Sequence, residues 1–154
     1  MSVHDKAGVT FSLPQTVAAE TRPGGSPGVG ARIYQERLGE LGLSVSVVQA
    51  KTRFPAGYAK STLAHMTGLL EQGGADTVKL SRLKKVKVKK GHAFDATLSF
   101  TATDGATNYW RTRTITLGST MVQAQVIQFS DGSDEAKAKA DAVFDQLVAS
   151  LKID

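Results

Sequence analysis

The sequence contains no cysteine. Disulfides, thiolate nucleophiles and thiolate-bound zinc or iron–sulfur sites are therefore excluded. Aromatic residues are scarce, at 6% of 154 residues, with a single tryptophan. That leaves little material for the stacking surfaces that hold single-stranded nucleic acid. Long apolar runs are also missing. No stretch reaches the ~20 apolar residues that a membrane-spanning helix requires. The first thirteen residues lack the apolar core of a signal peptide. The expectation is a soluble protein of the cytoplasm, with a trimmed periplasmic domain as the alternative.

Catalytic and metal-binding patterns are equally thin. Only three histidines occur, His4, His65 and His92. His4 falls in a terminus expected to fray, and His65 has no histidine or carboxylate four residues on. His92 and Asp95 fall on opposite faces of a strand. A metal centre needs three or four converging ligands. No G-x-S-x-G nucleophile elbow is present, and Asp131 and Asp134 read as turn and helix-start residues rather than an acid–base pair. The glycine-rich run 21–30 is not followed by Gly-Lys-Ser/Thr, so it reads as a plain loop and not a phosphate cradle. The chain is expected to be no enzyme and to need no cofactor.

What is present is an ordinary globular balance, 41% apolar and 21% charged. The length suits one domain over residues 1–154. Apolar periodicity sets the element order. Val9–Leu13 reads as a strand closed by Pro14, followed by strands at 31–38 and 43–50. In the latter, Leu43, Val45 and Val47 alternate with Ser44 and Ser46. Residues 57–72 switch to helical spacing through Leu63, Met66 and Leu70, and stop at Gly73-Gly74. Strands then follow at 78–90, 94–102, 108–117 and 120–129. A final helix over 133–151 carries the stripe Ala136, Ala140, Val143, Phe144, Leu147 and Leu151. The order β-β-β-α-β-β-β-β-α predicts an α+β domain, an antiparallel sheet flanked by two main helices.

Short motifs within this order resemble the Mog1/PsbP-like family. They are Phe11-Ser12-Leu13-Pro14, Gly91-His92-Ala93-Phe94, the run Tyr109-Trp110-Arg111-Thr112-Arg113, and the closing segment Phe144 to Ile153. The resemblance implies a sheet–helix sandwich and a non-enzymatic role. Members include an extrinsic photosystem subunit, a small-GTPase-binding protein and bacterial chaperone-like adaptors for secreted effectors. No functional residue carries over, because the matching motifs are apolar packing positions.

Net charge is +5 and the isoelectric point about 9.6. The excess is local. Lys79, Arg82, Lys84, Lys85, Lys87, Lys89 and Lys90 fall within residues 79–90, with no acid among them. Lys85, Lys87 and Lys89 alternate with Val86 and Val88, so the lysines share one strand face. Arg111 and Arg113 extend this candidate binding surface by parity, with Tyr109 on their face, and Trp110 is a candidate anchor at a partner interface. The bland readings are a solvated edge that lysines protect from aggregation and a core tryptophan. The favoured function is a non-catalytic protein-binding or adaptor module with a protein partner, for which an acidic protein is a candidate. The alternative is polyanion or nucleic-acid binding through the lysine-rich strand.

Overall fold

The computed structural model describes residues 2–14, 20–23, 30–129 and 132–154. The elements run β1 (Ser2–His4), β2 (Val9–Ser12), β3 (Glu20–Pro23), β4 (Gly30–Leu38), β5 (Leu41–Gln49), α1 (Tyr58–Gln72) and β6 (Asp76–Val86). They continue with β7 (His92–Thr101), β8 (Thr107–Leu117), β9 (Thr120–Gln128), α2 (Asp134–Ser150) and β10 (Lys152–Ile153). Seven strands form one sheet in the order β3-β4-β5-β9-β8-β7-β6, and a small second sheet has the order β1-β2-β10. All pairings are antiparallel. The two halves of the large sheet join where β5 pairs with β9, with Val45 opposite Ala124.

Strand alternation sorts the side chains into two layers. On one face, Leu43, Val45, Val47, Val122, Ala124 and Val126 form the main core with Phe11, Leu13, Phe144 and Leu147. The small sheet and α2 cover this face. Each fully buried Val, Leu or Phe contributes about 1.5–3 kcal/mol, so this layer holds the fold. On the other face, α1 lies over β6, β7 and β8. It meets a smaller cluster of Leu63, Ala96 and Leu98, with Met66, Leu70 and Trp110 packed against it.

The two helices are anchored unequally. Ser133 caps α2, accepting a hydrogen bond from the Ala136 N–H at 3.2 Å. Asp134 and Glu135 in its first turn complement the positive helix end. Four α2 residues are buried: Ala136, Ala140, Phe144 and Leu147. In α1 only Ala59 and Leu63 are buried, and no side chain caps its start.

The expected order is present, with three short strands added. His4 does not fray: it lies in β1, with its Nδ1 3.3 Å from the Thr10 hydroxyl. Thr21–Pro23, expected as loop, form β3 against β4. Proline has no N–H to give a ladder, and β3 is an end strand, where that is tolerated. The rest of that loop, residues 24–29, lies outside the described residues, as does Asp131. β6 ends at Val86 rather than at residue 90, and Lys87–Lys90 turn the chain towards β7. That turn closes on Gly91 at φ +83°, where an added Cβ would run into the Thr116 carbonyl oxygen. This position admits only glycine.

Candidate binding surface

The lysine segment lies at the edge of the large sheet. Among the described residues β6 pairs with β7 alone, as an end strand. Lys79, Lys84, Lys85, Lys87, Lys89 and Lys90 are all exposed. Val86 and Val88 between them pack against the main core and hold the segment down. None of these lysines is in an ion pair among the described residues. Two register shifts, between Asp76 and Lys79 and between Ser81 and Lys84, break the alternation along β6. Lys84 therefore stands opposite Asp95 and Lys85 opposite Phe94, on different faces of the sheet.

Arg111 and Arg113 have other commitments. Arg113 forms a two-pronged pair with Asp95 on β7, Nε to Oδ1 at 2.7 Å and Nη2 to Oδ2 at 2.9 Å. Arg111 Nη1 donates to Asp141 Oδ1 on α2 at 2.6 Å, and its Cζ stands 4.6 Å from the Phe144 ring centroid. The Tyr109 hydroxyl donates to the same Asp141 oxygen at 2.7 Å. Burial and the Asp141 carboxylate push the Tyr109 hydroxyl above its ordinary value. Burial is the largest single influence on Arg111 and disfavours its cation, but the hydrogen bond to Asp141, the Asp141 charge and the contacts with Tyr109 together outweigh it and raise Arg111. Both arginines thus face the α2 layer, and Lys85 faces the opposite side with Phe94. The structure does not bring the arginines and Lys85 together on one surface.

Trp110 lies on the α1 face. Its ring meets Phe100 edge-on at 5.4 Å, within the Leu63 and Leu98 cluster. Its indole N–H is buried without a hydrogen-bond partner among the described residues, as are the hydroxyls of Thr112 and Thr116 on the same face. The exposed histidines His65 and His92 join no group of three or more metal-ligating residues among the described residues.

One cluster was not legible in the sequence. The side chain of Asp5, fully buried, accepts Arg32 Nε at 2.7 Å, Arg32 Nη2 at 2.7 Å, the Tyr34 hydroxyl at 2.6 Å and the Ala7 N–H at 2.8 Å. Burial alone would raise this carboxyl. The hydrogen bonds from Arg32, Tyr34 and Ala7, with the Arg32 charge, outweigh it and hold Asp5 at about 2. Burial and the Asp5 carboxylate push Tyr34 up to about 12. The only sequence signal is the spacing: Arg32 and Tyr34 are two apart on β4, as Tyr109 and Arg111 are on β8.

Of the open clefts on the surface, two lie on opposite faces of the large sheet. One of about 370 Å³ lies on the part of the sheet beside α1, lined by Gln35, Arg37, Ser44, Gln125 and Phe129. The other, of about 510 Å³, lies between residues 88–90 and the C-terminal segment. No helix is long and apolar enough to cross a membrane among the described residues.

The solution structure of cyanobacterial PsbP (CyanoP) from Synechocystis sp. PCC 6803 superposes with a TM-score of 0.69 at 12% identity, covering 100% of this chain and 92% of that one. The chain has a PsbP-like fold. A second match is the crystal structure of LpqN, involved in cell envelope biogenesis of Mycobacterium tuberculosis. It gives a TM-score of 0.52 at 12% identity over 99% of this chain and 89% of that one. No family model and no curated protein matches at the level of sequence. The PsbP-like resemblance of the short motifs is thus carried by the whole architecture, an antiparallel sheet with two helices.

Proposed function

We propose that the chain is a single-domain, non-catalytic accessory or assembly module that binds a protein partner with an acidic surface. The observation that carries this reading is the sorting of its charges. Arg32, Arg111 and Arg113 are each neutralised by a carboxylate inside the fold, while the exposed lysines of residues 84–90 have no such partner among the described residues. Cations that the fold does not use are available to a partner, and such charges act chiefly on encounter rate and specificity. Asp5, Asp95 and Asp141 are committed to guanidinium groups, which supports a reading without acid–base chemistry. The PsbP-like fold supports an accessory role, and the likeness to a protein involved in cell envelope biogenesis supports a place outside the cytoplasm over the cytoplasmic alternative.

The test is affinity capture from the native host, with the wild-type chain beside the triple variant Lys85→Glu, Lys87→Glu, Lys89→Glu. The expected result is a stoichiometric protein partner kept by the wild type at low salt and lost by the variant, at equal thermal stability. A partner kept equally by both, or none in repeated trials, overturns the reading. The same lysine row also suits phosphate groups. Retention of nucleic acid in place of protein, falling steeply with salt, selects the polyanion reading.

A further inference from the structure

The cleft beside the C-terminal segment has features that the lysine row alone does not explain. Its floor is apolar, built by Val88, Ile115, Leu151 and Ile153. Its rim carries Lys89, Lys90 and Lys152, all exposed, against one acidic residue, Asp154. β10 borders it and is an end strand, pairing with β2 alone among the described residues. The Asp154 N–H donates to the Gly8 carbonyl at 2.9 Å. In an antiparallel pair the bonding residues alternate, so Ile153 turns its own N–H and C=O away from β2. An outward backbone donor and acceptor therefore stand beside an apolar floor and three cations.

We propose that this cleft takes an extended acidic segment of the partner protein, added as a strand along β10. The proposal rests on the protein-binding reading above and gives that partner's segment its chemistry. Side chains alternate along a strand. One set would be apolar and rest on Val88, Ile115 and Ile153, and the other would be acidic and face Lys89, Lys90 and Lys152. Main-chain bonds to Ile153 give affinity in this mode, and the alternate side chains give specificity. A bare lysine surface accepts any anion. The apolar floor and the Ile153 groups favour an extended polypeptide over a phosphate.

The experiment is a titration of the full, 15N-labelled chain with a short peptide of alternating Glu and Val, against polyglutamate of the same length, at low salt. The expected result is amide shifts centred on Lys89, Lys90, Lys152 and Ile153, with polyglutamate binding about tenfold weaker. The pair Lys89→Glu, Lys90→Glu should weaken the Glu–Val peptide by about tenfold. Ile153→Pro, which removes the outward N–H and keeps every lysine, should abolish its binding and leave the polyglutamate response unchanged. Shifts confined to Lys84, Lys85 and Lys87, or equal affinity for both peptides, overturn the cleft and leave the broader protein-binding reading standing. No shift with either peptide also overturns it, while the capture experiment judges the broader reading independently.

Discussion

Arg111 donates to Asp141 at 2.6 Å, and that contact ties α2 to the middle of the large sheet. Tyr109, two residues before Arg111, donates to the same oxygen. The cluster of Arg32, Tyr34 and Asp5 repeats the arrangement on β4, where it secures the turn between β1 and β2. In each, an arginine and a tyrosine on one strand face grip a carboxylate supplied by the covering layer. Both covering elements are thereby fixed in register on the sheet.

Asp141→Ala should destabilise the protein by about 1–3 kcal/mol, because it leaves the half-buried Arg111 and the buried Tyr109 without their acceptor. Urea denaturation gives the magnitude. Hydrogen exchange in α2 should quicken more than exchange in α1. Unchanged α2 protection would show that apolar packing alone positions the helix.

Acid stability should depend on Asp5. Its pKa is lowered from 3.8 to about 2, so the native state binds its proton less readily than the unfolded chain. The stabilisation is fully present above pH 3.8 and is lost as pH falls through about 2. It amounts to roughly 2 kcal/mol. Tyr34 acts at the other end. Its pKa is raised from 10.0 to about 12, so its share is present below pH 10 and lost as pH rises through about 12. Asp5→Asn should flatten the acid arm of the stability profile and Tyr34→Phe the alkaline arm. Profiles identical to wild type would contradict the assignment.

Hydrogen exchange should find α1 the less protected helix. It buries only Ala59 and Leu63, lacks a side-chain cap, and covers the unpartnered hydroxyls of Thr112 and Thr116. Few buried contacts mean a low free energy of local opening. Leu63→Ala should cost about 2–5 kcal/mol. It should raise exchange in α1 well before the main core responds. Equal protection of the two helices would refute this.

Gly91→Ala should be more damaging than Gly105→Ala. Both glycines have positive φ, +83° and +84°. A Cβ at Gly105 meets nothing, whereas at Gly91 it runs into the Thr116 carbonyl oxygen. The Gly105 substitution should cost about 1–2 kcal/mol of left-handed strain, and the Gly91 change should add the displacement of β8 from β7. Thermal melts of the two variants compare them directly.

Periodicity in the sequence determined the long elements. The alternation of Leu43, Val45 and Val47 and the stripe through Ala140, Phe144 and Leu147 carry their own burial pattern, because each repeats over several turns or pleats. The local character of the basic excess was equally plain in the order of residues 79–90. The short strands were not legible. β1, β3 and β10 hold two to four residues each, too few to show a period, and β10 exists only because β2 lies beside it. The candidate surface was decided in the same way. Parity along β8 placed Tyr109, Arg111 and Arg113 on one face correctly, but nothing local shows that Asp141 and Asp95 await the two arginines there. The register shift between Ser81 and Lys84 then puts Lys84, and not Lys85, on the face that Lys79 shares with the arginines. Local sequence records propensity and pattern. Which charges neutralise one another, and which remain for a partner, depends on pairings between distant strands and helices that only the tertiary fold makes.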